Sequence, residues 1–269
     1  MDLDHARRVA VGAAEAAGAL LRERATGVLG IRSKGRGDIV TDLDLASERL
    51  LLERIRAAFP GHRVVAEESG ASGDPGAEWT WLVDPLDGTN NVAIGLPLYV
   101  VGLALCHGGL AQLGVVHDPV GGRTWSAVRG GGAYGPQGRL PSPRHRADRH
   151  GPVLAWTQGH AVARDDPAVR ALKAALDVRA RRVLQLWAPL LGWVMLARGD
   201  IDAVVGYHAE AVDLPGGLLI AQEAGLRVVG FDGKPFDGRT DLPADRRDFV
   251  AAHPDLTDDL LGLVTTVLR

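Results

Sequence analysis

The stretch 79–91 constrains the fold of this chain more than any other, because an apolar run leads directly into two carboxylates and a turn. Its apolar start predicts a buried strand, and Pro85 and Gly88 predict where that strand ends. Asp84 and Asp87 would then lie close together at the end of a rigid element, where two ionised carboxylates repel each other unless a cation lies between them. The pattern therefore indicates a site for a divalent metal ion.

The turn after these aspartates adds backbone donors to the same place. Residues 88–90 supply free N–H groups where a helix could begin, and such groups favour an anion. Carboxylates that hold a hard cation, beside amides that hold an anion, indicate a site for a phosphate ester and Mg²⁺. An EF-hand loop and the haloacid dehalogenase signature do not fit, because both place their acidic residues at a different spacing. A simple acidic turn stays open on these few residues alone.

The run from Asp84 to Asn90 resembles the signature of the inositol monophosphatase family, within a lithium-sensitive, Mg²⁺-dependent phosphatase superfamily that includes fructose-1,6-bisphosphatase. Further blocks are similar to family motifs and occur in the family's order: Lys34–Asp44, Ala66–Ser69, Arg129–Tyr134 and Ala211–Gly217. The resemblance spans nearly the whole chain. It implies an α/β protein with an α+β N-terminal half, folded as the layered αβαβα sandwich of this family, and it implies a homodimer.

The resemblance also implies an active site with two or three Mg²⁺ ions. The metal ligands carried over from the motifs are Glu67, Asp84, the backbone carbonyl of Leu86, Asp87 and Asp213. The residues with implied catalytic roles are Asp44, Thr89 and Glu67, and the first two of these would orient a metal-activated water. The groups implied to hold the phosphate are Gly88, Thr89 and Lys34. The expected activity is that of a phosphoric monoester hydrolase that forms no phosphoenzyme.

Local sequence alone leaves structural roles open for some of these acids. Asp44 falls in the first turn of a predicted helix, where the helix dipole favours negative charge. Asp213 lies just before another predicted helix and would serve as its N-cap, a role that is compatible with metal binding. Glu67 and Glu68 follow the predicted strand 63–66. Since adjacent strand residues point to opposite faces, one of the two glutamates reaches the site, and the family motif selects Glu67.

The chain departs from the family on the side of the pocket that would hold the leaving alcohol. Trp187, Ala188 and Pro189 stand where inositol monophosphatases usually carry Gly-Ser/Thr-Ala. Gly206 replaces the glutamate that typically contacts inositol hydroxyls, and Val212 replaces a common tryptophan. The candidates for contacting a different alcohol are Trp187, Tyr207, His208 and Glu210. Packing or a dimer contact is an equally open interpretation of these side chains.

The substrate therefore stays open within one reaction class. A small phosphate monoester of an inositol-like, sugar or other cyclic alcohol is the expectation, and relatives that act on histidinol phosphate or a nucleotide 3′-phosphate supply the alternatives. A hypothesis of another class is a non-catalytic regulatory or binding protein on the same fold. Loss of a metal-ligating acid would have supported that hypothesis, and all four acids are present.

Composition agrees with a globular enzyme and excludes some partners. With 269 residues, of which 46% are hydrophobic, the chain can bury one large core or two modest ones. The net charge of −3 gives no reason to expect affinity for nucleic acid. Cys106, the single cysteine, excludes an internal disulfide and suits a reducing compartment. Because no apolar run predicts a secretion signal or a membrane span, we expect a soluble cytoplasmic enzyme that acts on a small phosphorylated substrate.

A change of composition at residues 139–151, which are rich in Pro, Arg and His, predicts a domain boundary. An N-terminal α+β domain (1–142) would carry most of the metal ligands. A C-terminal α/β domain (143–269) would supply the last metal aspartate and the substrate-recognition residues, and its alternating strands and helices predict a mostly parallel sheet. The basic cluster 144–150 could contact a second substrate phosphate or a nucleic acid, but a solvated linker is the favoured interpretation in an acidic chain.

Overall fold

The structure is a computed structural model that describes residues 1–25, 27, 29–35, 37–143 and 150–269. The helices within these ranges are α1 (Leu3–Arg24), α2 (Asp42–Ala58), α3 (Thr89–Ala93), α4 (Pro167–Arg179), α5 (Pro189–Arg198), α6 (Pro215–Glu223) and α7 (Pro254–Val267), with a 3₁₀ turn at Ala244–Arg246. Most of the basic cluster predicted as a linker, residues 144–149, lies outside the described residues.

The strands fall into a two-stranded hairpin and two larger sheets. The hairpin and the first sheet contain β1 (Ile31–Gly35), β2 (Asp38–Thr41), β3 (Arg63–Ala66), β4 (Gly70–Ser72), β5 (Trp79–Asp87), β6 (Val100–His107), β7 (Leu110–Asp118), β8 (Arg123–Val128), β9 (Gly132–Gly135) and β10 (Gly138–Arg139). The second sheet contains β11 (Val153–Gln158), β12 (Arg182–Leu184), β13 (Ala203–Tyr207), β14 (Arg227–Gly230) and β15 (Phe249–Ala252). The proposed division at 142/143 falls between the two sheets and stays a prediction.

The first sheet has eight strands in the order β10-β9-β8-β7-β6-β5-β3-β4. β3 and β5 pair in parallel, and the other neighbours pair antiparallel. The second sheet has the order β12-β11-β13-β15-β14. β11 is parallel to both of its neighbours, whereas β15 runs antiparallel to both β13 and β14. Four of its five strands therefore share one direction, and β15 alone is reversed within an otherwise parallel sheet.

Helices cover both faces of each sheet, which gives the five layers of an αβαβα sandwich. α1 and α2 pack on the outer face of the eight-stranded sheet, α5 and α6 lie between the two sheets, and α4 and α7 cover the outer face of the five-stranded sheet. β5 shows how one strand serves two layers. Trp81 and Val83 join the core beneath α1 and α2, while Leu82 joins the core around α5 and α6. The predicted fold class is confirmed.

The middle layer approaches the first sheet closely because glycines meet at the contact. A Cβ atom placed on Gly114 of β7 would lie 2.3 Å from the carbonyl oxygen of Gly216 in α6. No side chain fits at that distance, so the absence of a Cβ at this position allows α6 to lie against the strands. This packing brings the segment just before α6, which contains Asp213, to the edge of the eight-stranded sheet where β5 ends.

The central strand is longer than the sequence predicts. Pro85 was predicted to end it, but β5 continues to Asp87, and the pairing with β6 changes register between Asp84 and Asp87. Proline lacks the N–H that a regular ladder needs, and a bulge accommodates this defect without ending the strand. Both aspartates therefore lie at the carboxyl end of a rigid strand.

Across the described residues, no helix combines the length and the apolar character needed to cross a lipid bilayer.

Candidate active site

A cavity of about 420 Å³ lies where the carboxyl ends of β3 and β5 meet the start of α3 and the segment before α6. Five acidic residues from distant parts of the sequence line it, namely Asp38 of β2 and the four acids Glu67, Asp84, Asp87 and Asp213. Glu67 comes directly after β3, and its N–H donates to the carbonyl of Val83 on the parallel neighbour β5. The fold thus brings together the acids that the sequence predicted as metal ligands.

Asp84 and Asp87 are buried, Glu67 and Asp213 are half-buried, and the four acids repel one another. Burial raises the pKa of Asp84 well above its usual range, and the negative charges of Glu67, Asp87 and Asp213 raise it further. Burial likewise raises the pKa of Asp213, and Asp87 and Glu67 add to that shift. Among the described residues, no lysine, arginine or histidine forms an ion pair with Asp84, Asp87 or Asp213. Oxygen donors that carry excess negative charge are what a hard divalent cation requires.

Backbone donors fix the two aspartates at the end of β5. The N–H of Leu86 donates to Asp84 Oδ1 at 3.1 Å. The N–H of Leu190, in the first turn of α5, donates to Asp87 Oδ2 at 2.7 Å. Burial raises the pKa of Asp87 although these α5 amides oppose the shift. Both aspartates line the cavity.

A lysine ties the β1–β2 hairpin to this site. Lys34 Nζ lies 2.9 Å from Glu67 Oε1, 2.9 Å from Glu68 Oε1 and 3.5 Å from Asp38 Oδ2. Burial lowers the pKa of Lys34, but the two glutamates outweigh burial and raise the pKa above its usual range. Both glutamates therefore reach the lysine, whereas Glu67 alone of the pair lines the cavity.

Among the described residues, the acids predicted as metal ligands do not surround one point. Over the described stretches of the chain, no three His, Cys, Asp or Glu side chains stand in an arrangement that holds a metal ion. Glu67, one of the four acids, is directed to the Lys34 ammonium instead. The acidic end of the cavity, formed by Glu67, Asp84, Asp87 and Asp213, nevertheless fits Mg²⁺ because its donors are carboxylates. Asp84, Asp87 and Asp213 have raised pKa values, and they have no cationic partner among the described residues.

A second pair of residues, Asp44 and Thr89, is fixed at the rim of the acidic end. Thr89 Oγ1 lies 2.6 Å from Asp44 Oδ1, and the N–H and hydroxyl of Thr41 donate to Asp44 Oδ2 at 2.8 and 2.5 Å. Thr41 is the N-cap of α2, and it forms a capping box with Asp44. Burial raises the pKa of Asp44 even though these hydrogen bonds oppose the shift.

The hydroxyl of Thr89 has one proton and two neighbouring acceptors. The shorter contact is to Asp44, and the other is to the Leu86 carbonyl oxygen at 3.0 Å. When the proton is directed to Asp44, the lone pairs of Oγ1 are left to accept a hydrogen bond from another donor. Asp44 is fully buried and does not line the cavity, so its contact with the cavity is made through Thr89.

Gly88 makes the turn from β5 into α3 possible. Its φ of +108° lies in the left-handed region, and a Cβ atom on it would lie 2.6 Å from the carbonyl oxygen of Leu98. A residue with a side chain would be strained there and would also meet the backbone. The amides of Gly88 and Thr89 lie at the N-terminal end of α3, where they have no acceptor within the helix.

The remaining wall of the cavity comes from the second half of the chain. It is formed by side chains of β11, the loop after it, α4 and the segment before α5, chiefly Trp156, Gln158, Arg164, Lys173, Gln185 and Trp187. Trp187, a predicted substrate residue, is 61% exposed and has a positive φ of 52°. The carbonyl before it, on Leu186, accepts a hydrogen bond from Asn91 Nδ2 at 2.7 Å, which connects this wall to α3.

The other predicted substrate residues lie beside the cavity and do not line it. The rings of Tyr207 and His208 stack at 4.1 Å, and the N–H of His208 donates to Asp248. Glu210 Oε1 accepts from the N–H of His160 at 2.8 Å, so it supports the loop after β11. Sequence reasoning missed the basic wall residues Arg164 and Lys173, since nothing in their local sequence distinguishes them from solvated surface side chains.

The fold and the acidic cavity place this protein in a class of known α/β phosphatase structures. An IMPase from Thermotoga maritima superposes with a TM-score of 0.82 at 28% sequence identity, over 100% of this chain and 98% of that one. An inositol monophosphatase from Anabaena superposes with a TM-score of 0.82 at 26% identity, over 99% of this chain and 97% of that one.

The chain belongs to the inositol monophosphatase family, whose sequence model matches residues 2–266. An inositol-1-monophosphatase from Mycobacterium bovis is 32% identical over 274 aligned positions, which cover 95% of this chain and 92% of that protein. A protein named Nus factor SuhB from Pasteurella multocida is 33% identical over 235 residues, or 87% of this chain and 85% of that protein. Membership of this family supports a phosphatase activity.

Proposed function

We propose that this protein hydrolyses a small phosphate monoester with the help of bound Mg²⁺. The observation that carries the proposal is the convergence of Glu67, Asp84, Asp87 and Asp213 on one cavity without enough cationic partners. Buried carboxylates at close range cost free energy unless a cation compensates them. Family membership independently supports the same reaction class.

The metal ions would be held by the ligands that the motifs imply. These are Glu67, Asp84, the carbonyl of Leu86, Asp87 and Asp213, with two or three Mg²⁺ ions in each site. Bound Mg²⁺ would supply an acidified water and would neutralise charge on the phosphate and on the departing oxygen. Glu67 would have to exchange its bond to Lys34 for the metal, and the exposed position of the hairpin that carries this lysine permits such a movement.

The chain's own groups then orient the reactants. Thr89, with its proton directed to Asp44, would accept a hydrogen bond from the attacking water, and Asp44 would act as a positioning residue behind it. The amides of Gly88 and Thr89 and the ammonium of Lys34 would bind phosphate oxygens. The water oxygen forms a new bond to phosphorus while the bond from phosphorus to the alcohol oxygen breaks. The alcohol leaves with a proton derived from the water, and inorganic phosphate remains.

The direct test is the release of inorganic phosphate from a panel of monoesters, with and without Mg²⁺ and Li⁺. The panel should include phosphates of inositol, hexoses, glycerol and histidinol, and a nucleoside 3′-phosphate. We expect Mg²⁺-dependent turnover that Li⁺ inhibits, and we expect Asp84→Asn to lose nearly all of it while remaining folded. Asp177→Asn is the matched control, because Asp177 is an exposed aspartate of α4 outside the cavity. A folded Asp84→Asn protein with full activity would contradict the metal assignment.

A binding role without catalysis is the second candidate, and the name Nus factor of several relatives is the observation behind it. Asp84, Asp87 and Asp213 favour the enzyme, because they have no cationic partner among the described residues and a binding protein has no need of such unpaired carboxylates. Failure of every panel member to release phosphate in the presence of Mg²⁺ would favour the binding role instead.

The remaining expectations concern assembly and location. We propose a homodimer, as the family resemblance implies, and the exposed apolar side chains Ile94, Leu96 and Leu98 after α3 supply a surface that a second copy could cover. Sedimentation of the purified protein tests this, and a monomer at micromolar concentration would contradict it. A cytoplasmic location is proposed as well, and cell fractionation tests it.

A further inference from the structure

The cavity has a second charged region besides its acids. Lys173 of α4 and Arg164 of the loop before α4 line the same cavity as the four carboxylates. Both belong to the segment between β11 and β12, whereas the four acids predicted as metal ligands come from β5 and from the residues that follow β3 or precede α6. One cavity is therefore bordered by acidic groups on some elements and by basic groups on others.

Lys173 differs from the other lysines of the chain. Lys34 and Lys234 each form an ion pair with a carboxylate. Within the described part of the chain, Lys173 forms none, and its contacts are neutral. Its Nζ lies 3.3 Å from Gln185 Oε1 and 5.5 Å from the centre of the Trp156 ring. The ammonium makes one long hydrogen bond to a neutral side chain and keeps donors for another group.

Burial makes this arrangement costly. Removal of water around Lys173 lowers its pKa, and no neighbouring carboxylate offsets the effect. The charge is therefore partly desolvated and uncompensated in the protein alone. An anion that entered the cavity would compensate it, and the acids of the same cavity do not, because none of them pairs with Lys173 among the described residues.

Arg164 borders the cavity from the side of the hairpin. A Cβ atom on Gly37 would lie 3.5 Å from Arg164 Nη2, so the guanidinium reaches across to the turn between β1 and β2. In the described residues Arg164 also has no carboxylate partner. Guanidinium and ammonium groups that face one space with free donors are a common way to bind phosphate or carboxylate.

We propose that Lys173, assisted by Arg164, binds a second anionic group on the leaving alcohol. The preferred substrates are then phosphate monoesters that carry a further phosphate or carboxylate, and Trp156 and Gln185 hold the lysine in place. This inference rests on the proposed function. It assigns to the α4 wall the selection of the alcohol, while the acidic end performs the same hydrolysis on every substrate.

The test compares matched pairs of substrates that differ in the second anion. Phosphoglycerate is compared with glycerol phosphate, and a hexose bisphosphate with the corresponding monophosphate, at saturating Mg²⁺. We expect a higher kcat/KM for the doubly anionic member of at least one pair. Lys173→Gln should reduce kcat/KM for that member by about tenfold to a hundredfold, mainly through KM, and should leave the singly anionic member nearly unchanged.

Two further variants separate charge from structure. Lys173→Arg keeps a cation over the Trp156 ring and should retain most of the preference. Arg170→Gln removes an exposed cation from the same helix outside the cavity and should leave both substrates unaffected. Equal losses on both members of a pair in Lys173→Gln, or an identical loss in Arg170→Gln, would overturn the proposal, because either result would show a general effect of stability or net charge.

The outcomes also distinguish failure of the proposed hydrolase function from failure of the anion site alone. A wild-type protein that hydrolyses none of the substrates overturns the proposed function and, with it, the anion site. Turnover of the monoesters without any preference for a second anion overturns the anion site alone. Preference in one pair only identifies the second anion as carboxylate or as phosphate, and either result supports the site.

Discussion

Replacement of Thr89 by valine tests the hydrogen bond that joins α3 to α2 at the rim of the cavity. Valine has nearly the same shape but lacks the hydroxyl that lies 2.6 Å from Asp44 Oδ1. Asp44 is fully buried, and its other oxygen is held by Thr41, so Oδ1 would lose the donor that satisfies it. A buried acceptor without a donor is destabilising, and the effect is larger when the acceptor is charged.

The expected magnitude follows from these contacts. Loss of a hydrogen bond to a charged group costs about 1.5 to 3 kcal/mol of the free energy of unfolding. For a chain of this size that loss corresponds to a fall in melting temperature of about 3 to 12 °C. If Thr89 also orients the attacking water, kcat should fall by at least about a hundredfold.

The assay separates the two effects. Urea unfolding followed by tryptophan fluorescence, in the presence of EDTA, measures stability without the contribution of a bound metal. Phosphate release at saturating Mg²⁺ measures activity. Thr89→Ser is the matched control, since it keeps the hydroxyl and should retain both the hydrogen bond and most of the activity. A Thr89→Val protein as stable as Thr89→Ser would refute the reasoning about the bond, and one that is destabilised but fully active would refute the role in orienting water.

Further predictions concern the turn and the acids. Gly88→Ala should lower the free energy of unfolding, measured by denaturation, by about 1 to 3 kcal/mol from backbone strain alone. The loss should be larger in total, because the new Cβ also meets the backbone of Leu98. Gly95→Ala is the control for strain alone, since Gly95 also has a positive φ but no atom lies within 4 Å of its Cβ. In EDTA, the free energy of unfolding should fall as the pH rises above 3.8, the ordinary pKa of an aspartate. The reason is that the raised pKa values of Asp84 and Asp213 let the folded state bind more protons than the unfolded chain. Asp84→Asn should flatten this pH dependence, and an unchanged profile would contradict the assigned repulsion.

The sequence predicted the parts of the site that sit on single elements. The acids at the end of β5 and the capped start of α2 are local features, because a strand end and a capping box are encoded within a few neighbouring residues. The extension of β5 through Pro85 was not predictable in the same way. The extension depends on pairing with β6, because the register between the two strands changes where Pro85 lacks an N–H group.

The basic wall was beyond sequence reasoning for a different reason. Lys173 sits on an amphipathic helix, where a lysine is normally solvated, and only the packing of α4 against β11 brings it over Trp156 and into the cavity. Contacts such as Leu190 to Asp87 and Asn91 to Leu186 join residues far apart in the chain. Tertiary structure determines such contacts, and a single sequence contains no local sign of them.

The acidic and the basic walls of the cavity are held by different layers of the fold. The acids and the Asp44–Thr89 pair are held by β3, β5, α2, α3 and the starts of α5 and α6, which pack into the cores between and beneath the sheets. The basic wall comes from α4 and its loops, at the outer face of the five-stranded sheet. If the proposed anion site on α4 selects the substrate, substitutions there would change the preferred alcohol without moving the carboxylates, because the two groups of side chains belong to different packed layers. The unusual segment Trp187–Pro189 lies where these layers meet, since Trp187 borders the cavity and Leu190 just beyond it donates to Asp87.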